Sequence, residues 1–473
     1  MTAATALPAV LSRLDADRDE ALERLFALLR LRSISTDPAH AADVAATAEA
    51  LRDQLADLGF DATVRETGGH PIVIAHGDAL AAPEAAEAPS LLFYGHYDVQ
   101  PVDPLNLWEA DPFDPAMVNL PDGSQASRAR GSADDKGQFM TFVEACRAWL
   151  AETGTLPCRV SLLLEGEEEI GSPSLRPFLE DNAAELRRDL ALICDTGMWD
   201  ADTPAITTML RGLMGEEVTI KAADRDLHSG VYGSAAANPI RVLARILSDL
   251  HDDRGRVTLP GFYDGVSELP ETQRAQWEAL GFDANAFLGE IGLSRPAGES
   301  DRSALEQTWS RPTLEFNGIE GGYTGDGFKT VIPAEASAKV SCRLVGEQDP
   351  EAVRAALHAH VEARLPEDCT AEFHRHGSSP ATVMDIANPA FETARQALSE
   401  EWGREAAFIG SGGSIPVAGQ FRDVLGADSL LIGFGLNDDR MHSPNERYRL
   451  RSFQQGARSW ARILAGLARS RPV

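Results

Sequence analysis

Cysteine is scarce in this sequence, which has five in 473 residues and no CxxC pair. An odd number of scattered cysteines does not make the disulfide framework of a small secreted protein, and it fits a reducing compartment better. We therefore interpret them as packing residues; they are Cys146, Cys158, Cys194, Cys342 and Cys369.

Long apolar runs are also missing. No stretch approaches the roughly 18 uninterrupted apolar residues of a membrane-spanning helix, and residues 1–20 show no basic region ahead of a sustained apolar segment. We expect no membrane association and, as the default, a cytoplasmic location.

Positive charge is in short supply, with 43 lysines and arginines against 73 aspartates and glutamates and a formal net charge of −30. This balance argues against nucleic acid or an anionic membrane as a partner, but it is compatible with divalent cations. The 43% of hydrophobic residues and 25% of charged residues are ordinary for a globular protein.

A chain of 473 residues exceeds what one hydrophobic core usually supports, so we expect two or more lobes. The first third alternates helical patterns with short apolar runs, which is typical of an α/β lobe whose mostly parallel central sheet is flanked by helices. The runs at 90–95, 160–166, 190–194 and 429–435 are continuously apolar, as buried central strands are.

From about Ile206 the pattern changes to strict alternation, as in "ASAKVSCRLV" (336–345), which predicts a sheet with one open face. Helical patterns at 238–250 and 350–365 fit helices covering the other face. We therefore predict an α/β catalytic, metal-binding domain in two parts, 1–205 and 389–473, with an α+β domain inserted at 206–388.

Polar side chains follow the four apolar runs closely. Since ligands of open α/β sheets bind outside the carboxyl ends of the strands, these side chains should meet at one sheet edge. Two imidazoles and several carboxylates suit a pair of zinc-like ions. Taken singly, each motif has a simpler interpretation, such as a hydrogen-bonded core pair for "HYD" or a helix N-cap for "DDKG"; together they favour a metal site. The residues are His96 and Asp98, Asp134, the glutamates of "EGEEEIGS" (165–172), Asp195 and His442.

Six ordered motifs along nearly the whole chain resemble those of metallopeptidase family M20, especially its dimeric dipeptidase branch, which includes the carnosinase-like cytosolic dipeptidases. They are "GHYDVQP", "ARGSADDKG", "EGEEEIGS", "DLHSGVYG", "GGSIP" and "HSPNE". The resemblance implies that the inserted domain serves as a lid and in dimerisation.

The resemblance also implies two divalent metal ions per subunit, Zn²⁺ with Mn²⁺ or Co²⁺ as alternatives. Asp134 would bridge both ions and join a cis peptide to Asp135. Asp98 would accept the other N–H of the His96 imidazole. The remaining ligands would be His96 and Asp195 for one ion, and Glu169 and His442 for the other.

In the mechanism that the resemblance implies, a hydroxide shared by two metals about 3.5–4 Å apart attacks the scissile carbonyl. Glu168 would act as general base and pass the proton to the leaving amine. His228 would reach the active site of the partner subunit in a homodimer and stabilise the oxyanion there.

Four residues are candidates for substrate contact. Arg343 lies on the polar face of its alternating strand, where a guanidinium could bind the substrate's terminal carboxylate or form a surface salt bridge. Thr330, Ser414 and His376 are assigned by resemblance alone. The branch often has Arg-Glu before "GGSIP", whereas this chain has Gly410 and Ser411, which leaves the substrate's amino end open.

The function expected from these residues is two-metal hydrolysis of the amide bond of dipeptides or short peptides with a free carboxyl end. An N-acyl amino acid deacylase would keep the same ligands and differ in its pocket. A non-catalytic binding protein would tend to lose the base or a ligand, and all are present. Glu165 and Glu167 have no assigned chemistry beyond solvation or support of their neighbours.

Overall fold

The computed structural model describes residues 2–470. Its strands, in chain order, are β1 (Asp61–Arg65), β2 (Ile72–His76), β3 (Leu91–His96), β4 (Ala116–Asn119), β5 (Gln125–Arg128), β6 (Val160–Glu165), β7 (Leu190–Ile193), β8 (Ala205–Leu210), β9 (Gly212–Lys221), β10 (Leu227–His228), β11 (Thr313–Gly321), β12 (Val331–Ile332), β13 (Glu335–Leu344), β14 (Thr370–Ser379), β15 (Thr382–Val383), β16 (Ala407–Ser411), β17 (Asp428–Leu431) and β18 (Arg447–Arg449).

The helices are α1 (Ala3–Ala16), α2 (Arg18–Leu29), α3 (Ala41–Asp57), α4 (Lys136–Thr153), α5 (Leu175–Asp181), α6 (Ala183–Leu186), α7 (Ser229–Tyr232), α8 (Pro239–Ser248), α9 (Glu271–Ala279), α10 (Ala284–Gly289), α11 (Ala304–Trp309), α12 (Pro350–Glu362), α13 (Pro389–Trp402), α14 (Pro416–Gln420) and α15 (Leu450–Leu467). Within residues 2–470, none of these helices is long and apolar enough to span a membrane. The five cysteines are buried and unpaired, as expected.

The chain divides into two units. The first comprises the chain up to Thr208, Met384–Ile409 and the chain from Gln420; the second comprises Met209–Val383 and Gly410–Gly419. The segment 410–419, assigned from the sequence to the catalytic domain, thus belongs to the second unit. There the backbone N–H of Arg211 donates to the carbonyl of Gly413 at 3.2 Å.

The first unit is built on a mixed sheet with the strand order β1-β2-β6-β3-β7-β17-β8. Its four central strands, β6, β3, β7 and β17, are parallel and correspond to the four apolar runs of the sequence. The outer strands β1, β2 and β8 pair antiparallel, so the parallel part is confined to the centre. This α/β sheet confirms the predicted fold class.

Aromatic packing fixes β3 against the helices that cover it. The ring of Phe93 in β3 stacks on Phe142 of α4 at 3.9 Å between centroids, and Trp460 of α15 meets both rings edge-on. All three side chains are buried. Pairs of this kind stabilise a core by about 0.5–1.5 kcal/mol beyond the area they bury. The strand that carries His96 is therefore held on a rigid layer.

The second unit contains the antiparallel sheet β11-β13-β9-β14. Alternate residues of β13 (Ala336, Ala338, Val340, Cys342 and Leu344) are buried, as their period of two predicts, and form a core with α8 and α12. The intervening residues, including Arg343, lie on the open face. The sheet therefore presents a polar face built from β9, β13 and β14.

Candidate metal centre

The carboxyl ends of the parallel strands bring the predicted polar residues together. His96 is the last residue of β3 and pairs with Glu165, the last residue of β6. Asp195 follows β7, and the turn Glu168–Ile170 follows β6. Because these strands run in one direction, the side chains share one edge of the sheet.

Two groups of three ligand atoms converge at this edge, each with its atoms within 4.8 Å of one another. One group is His96, Asp134 and Asp195; the other is Asp134, Glu169 and His442. Asp134 belongs to both. Its Oδ1 lies 3.0 Å from Nε2 of His96, and its Oδ2 lies 2.8 Å from Nε2 of His442. The structure thus gathers all five residues expected to bind metal.

A buried carboxylate holds the loop that carries Asp134. Oε2 of Glu446 accepts from Nη1 of Arg130 and from the backbone N–H of Gly131, both at 2.8 Å. Oε1 accepts from the N–H groups of Ala133 and Asp134 at 2.8 and 3.1 Å. The next peptide bond, between Asp134 and Asp135, is cis, as expected.

The pairing of β5 with β18 explains how Glu446 arrives there. Arg447 pairs with Arg128, so the residue before β18 faces the loop after β5, and the N–H of Ala129 donates to the Glu446 carbonyl at 3.2 Å. This pairing brings "HSPNE" next to "ARGSADD" although more than 300 residues separate them.

Asp98 links the first motif to the glutamate turn. Its two carboxylate oxygens accept the backbone N–H groups of Glu168 and Glu169 at 3.2 and 3.1 Å. Nδ1 of His96 lies 3.1 Å from the Asp98 carbonyl and 3.3 Å from its Oδ1. The imidazole therefore has the Asp98 main chain as its nearer acceptor, with the carboxylate beside it.

The electrostatics of the centre reflect crowded carboxylates. Burial raises the pKa of Asp195 well above its ordinary value, and the charges of Asp134, Glu168 and Glu169 add to that rise. Hydrogen bonds to Asp134 and then Glu169 raise the pKa of His442 to about 10. Burial lowers the pKa of His96, but its bonds to Asp134 and Asp98 outweigh this and leave the pKa well above normal.

This donor set fits divalent cations. Imidazole nitrogens and carboxylate oxygens are ligands for zinc-like ions, and the imidazole nitrogens already face the shared carboxylate at close range. A cation placed among these carboxylates would offset the burial of Asp195 and relieve the repulsion that adds to its raised pKa. The acidic cluster is therefore suited to bind metal.

The other glutamates of "EGEEEIGS" support the site from behind. Glu167 accepts the backbone N–H groups of His70 at 2.8 Å and Ser174 at 3.1 Å, which ties the turn to the β1–β2 loop and to the start of α5. Glu165 accepts the hydroxyl of Tyr94 at 2.7 Å, and burial raises its pKa to about 8. The sequence assigned no chemical role to Glu165 or Glu167. In the structure, their hydrogen bonds hold the strand end and the turn that carry the candidate ligands.

Two further contacts of the site are not evident from the sequence alone. Nε2 of Gln100 donates to Oε2 of Glu169 at 2.6 Å, and Glu446 has the role described above. Gln100 lies inside "GHYDVQP" and Glu446 inside "HSPNE", so the motifs themselves were the available signal. Their partners could not be read from the sequence because they depend on strand pairing.

In the second unit, the pairing of β10 with β12 places His228 opposite Val331, next to Thr330. Nδ1 of His228 accepts the N–H of Gly230 at 3.0 Å, so the proton of the neutral ring lies on Nε2.

The other candidate substrate contacts lie on the antiparallel sheet of the second unit or beside it. Nη1 of Arg343 donates to Oγ of Ser414 at 3.4 Å. His376 lies on β14, and its Nε2 is 3.7 Å from a carboxylate oxygen of Glu217.

The chain matches one family profile and several known proteins. The profile of peptidase family M20/M25/M40 matches residues 92–466. The Cys-Gly metallodipeptidase DUG1 of Saccharomyces cerevisiae is 28% identical over 473 residues, 97% of each chain. The Beta-Ala-His dipeptidase of Rattus norvegicus is 30% identical over 387 residues, covering 80% of this chain and 77% of the relative. The crystal structure of the M20 family metallo-carboxypeptidase Sso-CP2 from Sulfolobus solfataricus aligns with a TM-score of 0.79 and 30% identity over 95% of this chain and 99% of that one.

Proposed function

Because the chain belongs to peptidase family M20/M25/M40, and to its dipeptidase branch, we propose that it hydrolyses dipeptides or short peptides with a free C-terminal carboxylate, using two divalent metal ions. The observation that carries this proposal is the sharing of Asp134 by two convergent donor groups. A shared carboxylate is the arrangement expected of a two-metal site.

One ion would be held by His96, Asp134 and Asp195, and the other by Asp134, Glu169 and His442. When bound, such ions polarise a substrate carbonyl and lower the pKa of water. Zn²⁺ suits this mixed nitrogen and oxygen set, as do Mn²⁺ and Co²⁺. Asp98 and Glu446 keep the ligand-bearing segments in register through the backbone hydrogen bonds described above.

Glu168 is the proposed general base. Burial raises its pKa to about 6, with the charges of Glu169 and Asp134 adding to the rise, which brings it close to neutral pH, where a carboxyl group can both accept and donate a proton. Asp98 fixes its main chain, so the side chain projects from a rigid turn. Glu168 would take a proton from the attacking water and deliver it to the leaving amine.

A homodimer would complete the site. The proton on Nε2 of the exposed His228 is free to donate to a developing oxyanion, and the family resemblance places that oxyanion in the partner subunit. Apolar side chains of the second unit are exposed in segments close in sequence to His228 and Thr330: Val231 (67%), Tyr323 (47%) and Phe328 (92%). Exposed apolar surface of this kind is typical of a protein interface.

The substrate's terminal carboxylate would bind Arg343, whose guanidinium lies on the open face beside Ser414. Thr330 and His376 are proposed as further contacts. The buried, unpaired cysteines support a cytoplasmic, reducing environment.

A panel of dipeptides assayed beside N-acetyl and N-succinyl amino acids tests this function. We expect metal-dependent cleavage of dipeptides. The relatives named above are peptidases and do not favour the deacylase alternative; turnover of acylated substrates alone would nevertheless overturn the dipeptidase proposal.

A further inference from the structure

A second arginine lies at the loop that contains Ser414. Arg211 joins β8 to β9, and its Nε donates to the carbonyl of Gly412 at 3.1 Å. Its Nη1 donates to the carbonyl of Gln307 at 3.4 Å. A methyl group added to Gly412 would meet Nη2 at 2.9 Å, so the guanidinium is packed directly against the loop.

Arg343 approaches the same loop from the sheet. It pairs with Leu213 of β9, two residues after Arg211, and contacts Ser414. Burial and, to a smaller extent, the charge of Arg343 lower the pKa of Arg211 to about 10. The two cations are therefore close enough to repel each other.

Neither guanidinium has an ion-pair partner within residues 2–470; the polar contacts of Arg211 are carbonyls, and Arg343 contacts a hydroxyl. Glu315 lies on β11, which pairs with β13. Its charge raises the pKa of Arg211, but no hydrogen bond or ion pair joins the two side chains within the described residues. Arginines that are almost fully buried differ from these two half-buried ones, because each is paired with a buried glutamate: Arg130 with Glu446, Arg311 with Glu299, and Arg354 with Glu216.

This contrast matters in a chain with 73 acidic against 43 basic residues, where a partner for an arginine is easily found. The loop itself offers none, since it reads Gly410, Ser411, Gly412, Gly413 and Ser414. Two guanidiniums without an ion-pair partner, beside a loop of small residues, leave positive charge that an anion would balance.

We propose that Arg211 and Arg343 together form a dicarboxylate subsite, so that the enzyme prefers substrates carrying a second carboxylate. This inference rests on the proposed function, in which Arg343 receives the terminal carboxylate. Arg211 would then bind the additional one. A substrate with a C-terminal Asp or Glu has two carboxylates on one residue, which would match two guanidiniums at one loop. The second carboxylate could instead come from an acidic group on the amino side of the substrate.

A purely structural Arg211, bridging the loop to Gln307, makes a different prediction. Its removal would lower activity towards all substrates by the same factor. A dicarboxylate subsite instead changes the ratio between an acidic substrate and its neutral isostere.

The test compares kcat/KM for Ala-Glu and Ala-Gln in the metal-loaded wild type, Arg211→Leu, Arg211→Lys and Glu315→Gln enzymes. We expect the wild type to prefer Ala-Glu and Arg211→Leu to reduce the ratio about 10- to 100-fold, the usual range for a hydrogen bond to a charged group. Arg211→Lys should restore part of the preference for Ala-Glu over Ala-Gln. Glu315→Gln should increase that preference, since a competing negative charge is removed. Glu-Ala and N-succinyl-Ala, measured in parallel, show which end of the substrate supplies the second carboxylate.

A second readout does not depend on turnover. Calorimetry of glutamate and glutamine binding to the metal-loaded protein should show tighter glutamate binding that Arg211→Leu abolishes. Failure of every dipeptide to react would reject the proposed function, while this calorimetry would still decide the subsite. Equal binding of glutamate and glutamine, or a substrate ratio unchanged by Arg211→Leu, would overturn the dicarboxylate subsite.

Discussion

Replacing Glu446 with Gln should weaken the metal centre although no proposed metal ligand is changed. The carboxylate satisfies four donors, two at each oxygen, and an amide has only one oxygen to offer. Two donors would then face an NH₂ group. Breaking a buried ion pair typically costs about 3–5 kcal/mol, because the remaining charge is left unpaired. We expect a loss of about that size in the free energy of unfolding.

The variant should also bind metal about 10- to 100-fold more weakly, because the N–H of Asp134 is one of the four donors. Denaturation can be followed by tryptophan fluorescence, since Trp108 stacks on Arg130 at 5.4 Å. Glu109→Gln is a matched control: it removes an ion pair with Arg128 in which Glu109 is 69% exposed, and should cost less than about 1 kcal/mol. If Glu446→Gln were as stable as that control and bound metal normally, the bracing role of Glu446 would be refuted.

Three further predictions follow from the site. Glu168→Gln should lower kcat by about 10²- to 10⁴-fold while the metal content measured by mass spectrometry stays unchanged; normal turnover would mean that the base is wrongly assigned. Metal affinity, measured by competition with a chelating dye, should rise from pH 6 to 8: His442, whose pKa is about 10, carries a proton in the metal-free chain that the cation must displace. An affinity independent of pH would contradict His442 as a ligand. Mixing His228→Ala with Asp134→Ala subunits under conditions of exchange should restore about a quarter of wild-type activity, because half the dimers carry one complete site; no recovery despite exchange would contradict the cross-subunit role.

Much of the fold was predictable because local patterns determine it. The four continuously apolar runs became the parallel centre of the sheet, and the period-two segment at 336–345 became β13 with Arg343 on its open face. The antiparallel outer strands were not foreseen. Their pairing depends on the sheet edge available after folding, and not on a local pattern.

The convergence of the candidate ligands was predictable, since each follows a strand or opens a helix. The contacts that hold those ligands were not. Glu446 reaches the Asp134 loop only because β18 pairs with β5. Arg211 and Arg343 both contact segment 410–414 only because β9, which follows Arg211, pairs with β13. Such long-range contacts depend on which distant strands pair and in which register, and this cannot be read from the local sequence.

Anomalous diffraction at the zinc edge, from crystals of the zinc-loaded enzyme, would show directly whether two ions share Asp134. We expect two peaks per chain about 3.5–4 Å apart, both bound by Asp134, one also by His96 and Asp195 and the other by Glu169 and His442. A single peak, or two ions that do not share Asp134, would contradict it.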